Sequence, residues 1–180
     1  MNGDRDSRRA PLRLLIAWWS GTGGTEQLVQ EAAAGAALAA ESADAGAGLD
    51  VLPCRCDRLS APALWAADGV LFAAPECLGT VAGPMKAFLD RCYYPALDRL
   101  AGRPYAVLVC AGSDGQGAIR QLDRVAAGWR LRRVAPPCLV LTGAQSPEAI
   151  AAPKSIAAAD RARARALGET LGAGIALGLW

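Results

Sequence analysis

The chain has 180 residues, 53% of them hydrophobic, 20% charged and 6% aromatic, with a formal net charge of +2. That length and apolar share predict one domain with a sizeable core, and the near-neutral balance argues against a nucleic-acid partner. Histidine is absent, which excludes His-based triads, His metal sites and His general bases.

In chain order, residues 1–10 read as a loose polar tail and 11–180 as a single domain. Residues 12–19 form an apolar run that predicts a buried strand, and 26–40 an alanine-rich helix. A weaker strand at 48–54 suits a sheet edge, followed by a short helix at 61–67 and a third strand at 69–74 that Pro75 ends. Met85, Phe88, Leu89 and Cys92 share one face of a helix over 83–93. Residues 105–111 predict a fourth strand, 118–129 a helix, 137–142 a fifth strand and 155–171 the last helix. Strands without polar alternation, each followed by a helix, imply a parallel sheet covered on both faces. The expected fold is an α/β three-layer sandwich, flavodoxin-like, with five parallel strands in the order 2-1-3-4-5.

Ligands of such sheets bind beyond the carboxyl ends of the strands, where the order reverses. That brings together the loops 20–25, 75–80 and 111–117. The first, Ser20-Gly21-Thr22-Gly23-Gly24-Thr25, is a turn of hydroxyls and glycines ahead of a helix N-terminus. Unpaired N–H groups and the positive end of the helix dipole suit an anion there. The turn lacks the lysine of a Walker loop, and Glu26 stands where the dinucleotide fingerprint needs its third glycine. A receiver domain needs an aspartate where Pro75 stands.

Blander readings accompany the sharp ones. Glu76 and Asp114, each alone, read as solvated loop acids, and Cys77 as a small filler. Lys86, Asp90 and Arg91 suit pairing on a helix surface, Trp129 and Tyr93-Tyr94 suit packing, and Arg161, Arg163 and Arg165 suit a solvated face. The six cysteines form no C-x-x-C pair, so they read as reduced thiols of a cytoplasmic protein with no metal site.

The S-x-T-G-x-T turn, the stretch from Pro75-Glu76-Cys77-Leu78-Gly79-Thr80 to Phe88-Leu89-Asp90-Arg91, and Ala111-Gly112-Ser113-Asp114-Gly115 together resemble the flavodoxin-like flavoproteins. Within them the chain looks most like the bacterial flavodoxin-family NAD(P)H-dependent FMN and quinone reductases. The resemblance implies FMN as cofactor, with Ser20, Thr22, Gly23, Gly24 and Thr25 holding its phosphate. It implies that Pro75, Glu76, Cys77, Leu78 and Gly79 line the isoalloxazine, and that Ala111, Gly112 and Ser113 close the other side. Cys77 departs from the aromatic usual there, and Trp18-Trp19 from the usual tyrosine or phenylalanine before the turn.

The implied activity is that of an oxidoreductase passing two electrons from NAD(P)H, a transient co-substrate, to a quinone, flavin or similar small acceptor. No side chain is assigned as catalytic, since the flavin carries the chemistry. A homodimer or homotetramer is also implied. The rivals are a flavodoxin-type electron carrier without its own substrate and a cofactor-free interaction module. No run is apolar enough to suggest a membrane span. Ser7-Arg8-Arg9 loosely resembles a twin-arginine signal, but Arg13 interrupts a short apolar run that leads into the glycine turn.

Overall fold

The computed structural model describes residues 10–43 and 48–180. The 1–9 part of the expected tail lies outside them.

Strand β1 (Leu12–Trp18) leads through the glycine turn into α1 (Gly24–Ser42). β2 (Leu49–Arg55) pairs with β1 only, so it is an edge strand, as its weaker apolar pattern implies. Helix α2 (Ala61–Trp65) precedes β3 (Gly69–Cys77), which turns back on the two-residue strand β4 (Thr80–Val81). α3 (Gly83–Ala96), β5 (Pro104–Ala111) and α4 (Gln116–Gly128) follow. The fifth position of the sheet is split between β6 (Arg132–Arg133) and β7 (Cys138–Leu141), both parallel to β5. Pro136 and Pro137, which lack N–H donors, fall in the gap. With β6 and β7 counted as one broken strand, the parallel order is the expected 2-1-3-4-5.

Three corrections apply to the element bounds. Pro75 does not end the third strand: it still pairs with Cys110 of β5, and β3 runs on to Cys77. The stretch after β7 contains a helix, α5 (Pro147–Ala151), which Ser146 caps by accepting from the Ala149 N–H at 3.2 Å. The last helix, α6 (Ala158–Ala176), starts later and runs further than the expected 155–171.

Both sheet faces are covered, which explains the uninterrupted apolar strands. On one face Leu14, Ile16, Leu71 and Leu108 pack with Leu28 and Ala32 of α1 and with Leu171 and Ile175 of α6. On the other, Leu15, Phe72, Val107 and Val109 pack with α3 and α4 through Phe88, Leu122 and Trp129. Tyr93 stacks on Trp129 at 5.9 Å and accepts its indole N–H at the backbone carbonyl, so these aromatics are packing groups.

α1 and α6 approach backbone to backbone. A Cβ added at Gly172 would fall on Ala36, at Gly168 on Ala32, and at Gly35 on the Arg165 carbonyl. Arg165 adds a two-pronged ion pair to Glu31 of α1, at 3.0 and 2.9 Å. Of the three arginines expected on a solvated face, this one bridges two helices instead.

Candidate functional site

The three loops of interest emerge from the carboxyl ends of β1, β3 and β5, neighbouring strands of the sheet. At the first, Trp19 N–H donates to the Ala73 carbonyl at 3.0 Å and so prolongs the ladder to the edge of the turn. Gly23 then takes φ 82°, a left-handed conformation that glycine adopts freely, and reverses the chain into α1. The Ser20 hydroxyl accepts from the Gly23 N–H at 3.0 Å. Gly24 is pressed against β5: an added Cβ would lie 2.9 Å from the Cys110 sulfur.

Thr25 is 1% exposed, and its hydroxyl has no hydrogen-bond partner. A buried hydroxyl without a partner is costly, and native proteins rarely leave one. It sits in the first turn of α1, where helix geometry leaves N–H groups without intrahelical acceptors. Glycine backbone, hydroxyls and the dipole end together favour a small anion without any basic side chain.

The second loop is a tight hairpin. Cys77 pairs with Thr80, leaving Leu78 and Gly79 as the two turn residues, at φ 53° and 75°. Positive φ at both is what a type I′ hairpin requires, and glycine is at home there whereas leucine is strained. Leu78 is also 103% exposed. The hairpin is held against α4: Val81 N–H donates to the Gln121 side-chain oxygen at 2.9 Å, and Gly117 leaves room only for the Gly79 carbonyl.

Glu76 does not read as a solvated acid here. Its carboxylate accepts from the N–H groups of Gly115 (2.7 Å), Gly117 (3.1 Å) and Ala118 (3.4 Å). It therefore satisfies the orphan donors of the α4 N-terminus and locks the second loop to the third. Cys77 is exposed, with its thiol pushed up first by burial of its sulfur and then by Glu76. A thiol shifted that way stays protonated at neutral pH and is a poor nucleophile.

The third loop begins at Ala111 and ends at Gly115, φ 84°, ahead of α4. Ser113 and Asp114 are exposed. Gly112 is needed where it stands, since a Cβ would lie 2.6 Å from the Ala144 carbonyl. Its own carbonyl accepts from the Gly143 N–H at 2.9 Å, and that of Ala111 accepts from the Thr142 N–H, also at 2.9 Å.

The thirteen residues proposed to hold the cofactor thus gather at the carboxyl ends of β1, β3 and β5: Gly24 and Thr25 open α1, Pro75, Glu76 and Cys77 end β3, Ala111 ends β5, and the others lie in the loops between. A fourth segment, residues 142–156, joins them without having been singled out. It runs from the third loop to the first, where Lys154 N–H donates to the Thr22 carbonyl at 2.8 Å. The Lys154 ammonium is turned away onto the carbonyls of Ala149, Ile150 and Ala152 at the end of α5. Lys86, expected to pair, meets Asp90 at 2.6 Å, whereas Arg91 donates to the carbonyls of Cys56 and Leu59. Among the described residues no group of three or more His, Cys, Asp or Glu is placed to hold a metal, and no helix is long and apolar enough to cross a membrane.

A doubly wound parallel sheet in this order, with three glycine-rich loops at its switch point, is the flavodoxin-like fold. Residues 58–146, just under half of the chain, match the family model for NADPH-dependent FMN reductase. The match takes in the second and third loops and not the turn at 20–25. No curated protein matches by sequence.

Among solved structures, an oxidoreductase from Corynebacterium diphtheriae is similar at 18% identity, covering 96% of this chain and 99% of that one, with a TM-score of 0.68. A flavodoxin from the domain Archaea covers 91% and 99% at 14% identity and a TM-score of 0.69. A WrbA-like flavodoxin from Agrobacterium tumefaciens covers 93% and 98% at 18% identity and a TM-score of 0.63.

Proposed function

We propose that the protein binds FMN and works as an NAD(P)H-dependent oxidoreductase, passing two electrons to a quinone, flavin or similar small acceptor. The observation that carries the reading is the buried, unpartnered Thr25 hydroxyl in a glycine turn at the head of α1. A phosphate oxygen would satisfy it, and the helix end would stabilise the negative charge. Ser20, Thr22, Gly23, Gly24 and Thr25 hold the phosphate by hydroxyl and backbone N–H groups. Pro75, Glu76, Cys77, Leu78 and Gly79 form one wall for the ring system, largely by backbone, and Ala111, Gly112 and Ser113 the other.

The bound flavin would supply the two-electron chemistry. The protein's share is orientation. Glu76, saturated by three backbone N–H donors, fixes the distance between the two ring walls rather than moving a proton. Cys77, held protonated, adds bulk and no negative charge. The family matched by residues 58–146 supports NADPH as the reductant.

The test is an absorbance titration with FMN, followed by NADPH and then a quinone. Flavin binding, anaerobic bleaching by NADPH and recovery of colour on adding quinone are expected. Binding without bleaching would leave an electron carrier, and no binding would leave an interaction module. The reading also expects a cytoplasmic protein and a homodimer or homotetramer, which fractionation and light scattering would check.

A further inference from the structure

The turn at 20–25 is tied to the far side of the chain by one side chain. Gln27 Nε2 donates to the carbonyl oxygens of Gly23 (3.2 Å) and Lys154 (2.6 Å), while its Oε1 accepts from the Ile156 N–H (3.2 Å). The Gln27 backbone N–H donates to the same Gly23 carbonyl at 3.2 Å, and Lys154 N–H to that of Thr22 at 2.8 Å.

A peptide group is planar, so holding a carbonyl oxygen fixes the direction of the following N–H. Holding the Thr22 oxygen aims the Gly23 N–H, which the Ser20 hydroxyl receives. Holding the Gly23 oxygen aims the Gly24 N–H the opposite way. All the partners in these bonds belong to the protein, so the turn is tied down by the chain itself, and a turn fixed in this way costs less to order on binding.

We propose that Gln27 is a positioning residue for the phosphate: through its clasp on Lys154 and Ile156 it sets the N–H directions of the turn and thereby the selectivity for FMN over riboflavin. The inference rests on the phosphate site proposed above and deepens it. The buried Thr25 hydroxyl, two residues before Gln27, is the independent sign that a ligand atom belongs in this turn.

The experiment compares FMN with riboflavin, which has the same ring and no phosphate, by fluorescence titration of the full chain. Gln27→Met keeps the length of the side chain and removes all three bonds. FMN affinity is expected to fall about tenfold, with riboflavin affinity unchanged within about twofold. Equal losses for both ligands, or no loss for FMN, would overturn the inference. Gln27→Asn, which keeps the amide on a shorter stem, is expected to act in the same direction and carries the test should Gln27→Met not fold. A wild-type chain that binds FMN no better than riboflavin would instead remove the phosphate site itself, and this inference with it.

Discussion

At the end of β1 the left-handed conformation falls on Gly23, and the turn behind it is tucked beneath β5 and strapped by Gln27. At the end of β3 it falls on Leu78, whose side chain stands wholly in solvent. The two corners lie on adjacent strands. The first is tied down by hydrogen bonds within the chain, and its left-handed position falls on a glycine, which adopts it without strain. The second stores strain in a turn that Glu76 and Gln121 brace from behind. Strain held by over-determined surroundings gathers at working sites. The contrast fits a phosphate corner that anchors and a ring corner that adjusts.

The largest blow to the first corner is Thr22→Glu, which sets a carboxylate beside a phosphate. A loss of about a hundredfold or more in FMN affinity is expected. Isothermal titration with FMN and riboflavin would check it, and an unchanged FMN affinity would mean that the phosphate lies elsewhere.

Alkali should also loosen the first corner. Burial pushes the thiols of Cys110, beneath Gly24, and Cys56 up to about 11, well above the ordinary cysteine range. Unfolded thiols lose their protons first, so the stability they contribute is complete below pH 9 and is lost as pH rises towards 11. The loss amounts to about 3 kcal/mol per thiol at its full extent. Urea midpoints measured from pH 8 to 11 should fall, and Cys110→Ala should flatten the curve.

At the second corner, Glu76→Gln leaves an amide where three N–H groups sought a carboxylate. A stability loss of about 1–3 kcal/mol is expected in chemical denaturation, since hydrogen bonds to a charged acceptor are among the stronger ones. Leu78→Asn has the smallest effect and the opposite sign. Asparagine tolerates positive φ, so apoprotein stability should rise by about 1 kcal/mol. The same change would weaken riboflavin binding if the exposed leucine covers the ring, and a thermal melt paired with a riboflavin titration reads both. Destabilisation by Leu78→Asn would erase the contrast between the corners.

The layered fold was legible because β1, β3 and β5 are apolar runs and the loops at their carboxyl ends carry glycines, both of which are local signals. The turn at 20–25 was legible for the same reason. The broken fifth strand was harder: Arg132 and Arg133 join the sheet only by hydrogen bonding beside Pro104 and Tyr105, and no apolar pattern marks them. The extension of α6 past Leu171 was hidden by Gly172 and Gly174, poor helix formers that serve there as contact points for Ala36 and Trp180. Glu76 looked like a loop acid because its three donors lie about forty residues away. Gln27 and Lys154 are 127 residues apart, and nothing local pairs them.

The glycine seam between α1 and α6 also sets an order of events during synthesis. Arg165 and Glu31, which lock it, are separated by 134 positions. The first crossover helix can settle on the strands beforehand, but its seam with α6 forms only once that helix has been made. Until then the part of the sheet face that Leu167, Leu171 and Ile175 cover stays open to water.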